Sequence, residues 1–170
     1  EISLAVITAG TRKAAELLGD GLSVHMMSPS IHNLQILQSG HHTCMVHGRP
    51  TTRTIEHGDP VYLCFCGIAN FRQFKLGFDR QYFVGSVSDE MARTYEITLA
   101  AQNAALAEIR PGAIADDINA AAEEVYLSAG FGASYRTGRG IGYSYLEEPQ
   151  LKRGAYTSLQ AGMTFAVDGG

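Results

Sequence analysis

Six histidines, three cysteines and a scatter of carboxylates are the groups in this 170-residue chain that could do chemistry. Imidazole changes charge near neutral pH, so a histidine steadied by carboxylates can give and take a proton. Carboxylates that hold no metal suit a guanidinium or an amine. His25, His32 and His57 read as surface residues, while His41 and His42 sit in a turn with His47 just beyond it. Asp79-Arg80 reads either as a cross-strand ion pair on a solvated face or as part of a site. Glu147-Glu148 reads as a solvated loop or as a substrate contact. Cys44, Cys64 and Cys66 are odd in number and follow no disulfide spacing, which implies reduced thiols. Cys64-x-Cys66 has no second Cys/His pair to complete a metal site and reads as part of a buried strand. In Gly138-Arg139-Gly140-Ile141-Gly142 the glycines serve backbone geometry rather than phosphate binding, because no helix follows to offer its N-terminus.

The bulk properties narrow the classes. Hydrophobic residues make up 45% and charged residues 18%, an ordinary balance for a globular chain of one-domain length. The net charge of −4 leaves no basic surface for nucleic acid or anionic lipid. The reading expects no signal peptide, and no apolar run approaches the ~18 residues a membrane span needs. The expectation is a cytoplasmic protein with no membrane or nucleic-acid partner.

The elements that must position these groups follow from pattern. Residues 1–18 read as an amphipathic helix with Leu4, Ile7, Ala14, Leu17 and Leu18 on one side, ended by Gly19-Asp20-Gly21. An irregular stretch from Met26 to Ser30 leads to a strand at Leu34–Leu37, a turn at Gly40-His41-His42 and a second strand from Thr43 to His47. Gly58-Asp59-Pro60 turns into Val61–Cys66, apolar on both faces as a buried strand would be, and Asp79–Val84 is another strand. Residues 88–109 and 115–129 predict two helices, stopped by Arg110-Pro111-Gly112 and Gly130. A glycine-rich turn at 138–142 and a strand at Met163–Val167 close the chain. The order is helix, strands, two helices, strands, an α+β layout with helices on one face of a mainly antiparallel sheet. Each half begins with helix and continues with strands, which suggests a weak internal duplication. Both ends fall inside elements, so residues 1–170 read as one catalytic-type domain cut from something longer, with an N-terminal domain and a C-terminal end not present.

Several segments, taken in order, resemble the creatinase / aminopeptidase P / prolidase / methionine aminopeptidase superfamily (peptidase family M24). They are Glu1-Ile2-x-Leu4, Gln38-Ser39-Gly40 through His47, Arg53-x-Ile55-x-x-Gly58-Asp59, Arg110-Pro111-Gly112 with Asp117-Ile118 and Ala120-Ala121, Gly138-Arg139-Gly140-Ile141-Gly142, and Gly162-Met163-x-Phe165-x-Val167-Asp168. Each piece alone is weak; their order over nearly the whole chain carries the resemblance. It implies a pita-bread fold with a pocket above the sheet. In metal-dependent members that pocket holds divalent ions on two aspartates, one histidine and two glutamates. Here the matching positions read Cys64, Gly77, Arg139 and Asp168, the last glutamate falling beyond Gly170. A permanent cation stands where the imidazole would be, so no metal and no cofactor is expected.

The resemblance also implies how such a pocket works without metal, as creatinase does with a histidine acid/base and carboxylates. His47 falls on that histidine, Asp79 and Asp168 on the carboxylates, and Glu147 lies near a family substrate contact. The expectation is a metal-independent hydrolase acting on a C–N bond of a small nitrogenous compound, with His47 catalytic and Asp79, Arg139, Asp168 and Glu147 binding substrate. Two other readings stay open: a metal-dependent Xaa-Pro peptidase, and a non-catalytic binding protein. The resemblance further implies a homodimer. Charge balance adds one geometric expectation: Arg139 points inward and pairs with Asp168 or Asp79, replacing the lost metal charge.

Overall fold

Helix α1 runs Ile2–Leu18 in a computed structural model that describes residues 1–18, 30–31, 36–65, 69–71 and 73–168. The expectations for Gly19-Asp20-Gly21, for residues 26–29, for Leu34 and Gln35, for His25 and His32 and for Cys66 lie outside the described residues. The chain divides into two compact units, residues 1–86 with 142–145 and residues 87–141 with 146–170.

The first unit holds α1 and strands β1 (Ser30–Ile31), β2 (Ile36–Ser39), β3 (Pro60–Cys64), β4 (Ala69–Phe71), β5 (Phe74–Lys75) and β6 (Asp79–Phe83). β2, β3 and β6 form an antiparallel sheet with β3 central, and β1, β4 and β5 form a smaller one. Its core is Val61 and Leu63 of β3, packed by Ile2 and Val6 of α1 and by Leu37, Ile55, Phe65 and Val84. The helix is where its spacing puts it, but its inward face is Ile2 and Val6. Leu4 and Leu17 are exposed. Ile2 and Val6 stand one turn apart and stack on β3, whereas Leu4 lies about half a turn round from Ile2.

The strand expected from Thr43 to His47 does not form. Gly40–Cys44 is a 3₁₀ turn and residues 45–47 continue as a turn. Gly40 takes a φ of +57°, which swings the chain out of β2 at once. A second turn glycine, Gly58, has a φ of +89° and leads into β3.

The second unit holds α2 (Asp89–Glu108), α3 (Ala115–Ser128) and strands β7 (Gly138–Gly140), β8 (Glu147–Leu151) and β9 (Phe165–Val167). Ser88 caps α2 by accepting a hydrogen bond from the Met91 N–H, with Asp89 and Glu90 at the positive end of the helix. Ala101 and Ala105 of α2 are fully buried with Ala115, Ile118 and Ala122 of α3, while Met91, Tyr95, Leu99 and Leu106 stay partly exposed. The small side chains bring the two helices close together, and Leu151 and Leu159 complete the core. The Gln102 side-chain amide reaches the Val167 carbonyl at 2.7 Å, tying α2 to β9.

The glycine-rich segment expected as a turn is instead β7, the central strand of the antiparallel sheet β8-β7-β9. Its glycines are there because neighbouring backbones crowd it. A Cβ on Gly138 would lie 2.6 Å from the Ala166 carbonyl oxygen, and one on Gly140 would lie 3.1 Å from two carbonyls of β8. Glu147-Glu148 is likewise the start of strand β8 rather than a loop. Each unit is an α+β layer, and no helix among the described residues is long and apolar enough to cross a membrane.

Candidate functional site

In the first unit His47 sits in the turn that follows β2. Its side chain is exposed and lines an open cavity of about 370 Å³ with His42, Met45, Gly48, Arg49 and Thr51. Behind the turn, Arg53 forms a two-pronged ion pair with Asp59, one arm at 2.9 Å, and also donates to the Ser39 hydroxyl at 3.1 Å. The Arg53 hydrogen bonds hold the Asp59 carboxyl below the usual carboxylate range, helped by the Glu56 N–H at 2.7 Å. The Arg53 guanidinium is held correspondingly more firmly charged by Asp59. Asp59 closes the turn into β3, and the Arg53 guanidinium lies against Gly40, where a Cβ would meet it at 2.8 Å.

Asp79 opens β6 and stands opposite Cys64 of β3 in the ladder. The two positions identified with a metal ligand and a substrate carboxylate are therefore neighbours across strands. Cys64 is a buried free thiol. Arg80 donates to the Asp79 backbone carbonyl at 2.6 Å and lies over the Phe78 ring, 5.1 Å from its centre. No hydrogen bond joins His47 to Asp79 among the described residues.

In the second unit Arg139 occupies the middle of β7, opposite Ala166 of β9. Residues two apart on a strand share a face, so Asp168, just past β9, is its diagonal neighbour, within reach of a long side chain. Ala166 is small and buried, which leaves room for the guanidinium. Arg139 is only 4% exposed and donates from Nη1 to the Asp168 carboxylate at 2.7 Å. Asp168 is anchored in turn by its backbone N–H, which bonds the Thr137 carbonyl at 2.7 Å. The Thr137 hydroxyl donates to the buried Asn119 side chain of α3 at 2.9 Å. The inward Arg139 that charge balance calls for is thus in place, with Asp168 as its partner. Glu147 faces Gly140 across the β7–β8 ladder, beside the bulge between Arg139 and Gly140. Its neighbour Glu148 accepts hydrogen bonds from the Gln150 side chain and backbone, which lower its carboxyl below the ordinary range.

These side chains do not fit a pair of divalent ions. A hard-oxygen site needs several carboxylates converging, and imidazole or water to complete it. Cys64 is a buried soft donor, Gly77 supplies no side chain, and Arg139 brings a cation that occupies the one remaining carboxylate. Among the described residues, no group of three or more His, Cys, Asp or Glu side chains converges. His42, which its place in the turn beside the motif marks as a candidate pocket-rim contact, lines the cavity with His47, while Arg49 and Thr51 carry no spacing signal that would single them out. The Arg53–Asp59 pair spans the Arg53-x-Ile55-x-x-Gly58-Asp59 motif, and its structural task is seen in the folded chain.

Comparison with known proteins identifies the fold and family. The family model for metallopeptidase family M24 matches residues 8–170. The agropine synthesis cyclase of Rhizobium rhizogenes is 34% identical over 175 aligned residues, taking in 100% of this chain and 43% of that protein. The Xaa-Pro dipeptidase of Pyrococcus furiosus is 29% identical over 79% of this chain and 39% of its own length. Among solved structures, the prolidase from Pyrococcus horikoshii OT3 superposes with a TM-score of 0.80 at 25% identity, over 98% of this chain and 44% of that one. A methionine aminopeptidase from Rickettsia prowazekii gives a TM-score of 0.64 at 27% identity, over 71% of this chain and 50% of that one. The chain spans less than half the length of these curated relatives. Its fold is the expected α+β pita-bread fold, and the chain belongs to metallopeptidase family M24.

Proposed function

We propose that the protein is a metal-independent enzyme of the creatinase type, attacking a C–N bond in a small nitrogenous compound. The observation that carries this reading is the buried Arg139–Asp168 pair, which puts a fixed positive charge where a metal-dependent relative needs a ligand. With that charge in place, His47 acts as general acid/base on the substrate, moving a proton between the attacking group and the leaving nitrogen. Its exposed position suits a group that meets substrate, and apo geometry commonly tightens once substrate is bound. Asp79 in the first unit, and Glu147, Arg139 and Asp168 in the second, are the groups proposed to bind substrate, the carboxylates suiting a cationic part of it. Pairing of two copies and a cytoplasmic location belong to the same proposal.

A second reading is favoured by one observation: the relative matched along the full chain is named a cyclase. Hydrolysis and cyclisation can share the same attack on a polarised carbon. They differ in whether the nucleophile is water or a group of the substrate itself. Turnover of a panel of small amides and amidino compounds in ¹⁸O-water separates them. Hydrolysis places ¹⁸O in the product, and cyclisation by the same attack yields an unlabelled ring product with the nitrogen group released as amine or ammonia. A chain that instead cleaves Xaa-Pro dipeptides only after addition of Mn or Co ions would replace both readings with the peptidase named in other relatives. Ligand-induced stabilisation without any turnover would leave a binding protein.

A further inference from the structure

The His47 turn is exposed, yet it is fastened from below by one buried side chain. Gln38, on β2, is 3% exposed. Its side-chain NH₂ carries two protons and spends both on the turn, one on the His42 carbonyl at 2.8 Å and one on the Met45 carbonyl at 2.7 Å. The space for that amide exists because residue 48 is glycine. A Cβ on Gly48 would lie 2.3 Å from the Gln38 nitrogen and 3.1 Å from its amide carbon. The Thr43 hydroxyl adds a bond to the Gly40 carbonyl at 2.8 Å, so the start of the turn is fixed as well. His47 thus sits between a carbonyl held by Gln38 and a glycine packed on it.

A glutamine is an odd choice for a strand position whose neighbours, Ile36 and Leu37, are apolar, because an unsatisfied buried amide is costly. It is satisfied here only by the turn, and the turn carbonyls would otherwise have no strand to pair with. We infer that Gln38 is a positioning residue for His47, with Gly48 as the matching gap, and that together they present the imidazole to the cavity in one place. The inference rests on His47 being the acid/base of the proposed reaction. The amide bonds only backbone carbonyls of the turn, so it acts on turn geometry.

The test uses the whole chain and two substitutions. Gln38→Glu keeps the shape but, once ionised, aims a carboxylate at two carbonyls and donates nothing. Gly48→Ala keeps Gln38 and pushes it aside. In both, amide exchange protection at residues 42–48 should fall about tenfold, the equivalent of one lost hydrogen bond, while α3 amides stay unchanged. Protection in Gln38→Glu should partly return at low pH, where the acid regains one donor. The His47 ring resonance should shift in both variants, and kcat should drop roughly 10–100-fold with little change in KM. If either variant fails to fold, Gln38→Ala combined with Gly48→Ala decides, because removing the amide makes room for the new methyl. Its loss should be clearly smaller than the sum of the single losses. Unchanged protection and an unmoved His47 resonance in both single variants, or additive losses in the double, would overturn the positioning role. If those structural changes occur but His47→Ala still turns over substrate fully, the acid/base reading of His47 fails instead, and with it the catalytic part of this inference.

Discussion

At the scale of single residues, a buried guanidinium at position 139 settles a charge problem left by its neighbour. Removing it should expose that problem. Arg139→Met leaves the Asp168 carboxylate, 23% exposed, without its cation, and should destabilise the protein by roughly 2–4 kcal/mol. Denaturant unfolding at neutral pH measures this. Arg139→Met with Asp168→Leu should recover much of it, since a well-packed apolar pair avoids the desolvation cost. His47→Ala should behave in the opposite way. Its imidazole faces an open cavity, so melting should barely move, while kcat falls on the order of 10²–10⁴. Asp59 makes a third case. Its carboxyl is held below the ordinary value, chiefly by the hydrogen bonds from Arg53. Its contribution to stability is therefore complete above the unfolded carboxylate value of about 3.9 and is lost as pH falls through the lowered folded value. Comparing wild type with Asp59→Asn by thermal melting should show a constant gap above about pH 5 that closes in acid.

Elements explain why some of this could be read from the chain and some could not. The helices could, because apolar residues at helical spacing, the Arg110-Pro111-Gly112 stop and a C′ glycine are local signals, and α2 and α3 lie within a residue or so of where those signals put them. The segment Thr43–His47 misled because its residues suit a strand. The left-handed Gly40 and the reach of Gln38 take its carbonyls elsewhere, and both are decided by neighbours rather than by the segment. Gly138–Gly140 misled in the reverse direction: glycines that usually mark a turn here mark a strand squeezed between two others. Gly138→Ala tests that account, since the new methyl meets the Ala166 carbonyl and should cost roughly 1–3 kcal/mol by strain. At the site, the Arg139–Asp168 pair followed from charge balance once the two positions were identified. The clamp behind His47 did not, because it is made of backbone carbonyls that leave no mark in a sequence.

For the molecule as a whole, the M24 fold is retained, while the positions that the family resemblance matches to metal ligands read Cys64 and Gly77 in one compact unit and Arg139 in the other. Loss of a single ligand could weaken a site. On the proposed reading, replacement at several ligand positions, with a buried ion pair at one of them, removes the metal chemistry rather than weakening it. The metal content of the purified, catalytically competent protein tests this most directly. The account predicts only trace transition metal, and full activity after exhaustive dialysis against a chelator. A pair of Mn, Co, Fe or Zn ions per chain, lost on chelation together with activity, would contradict it.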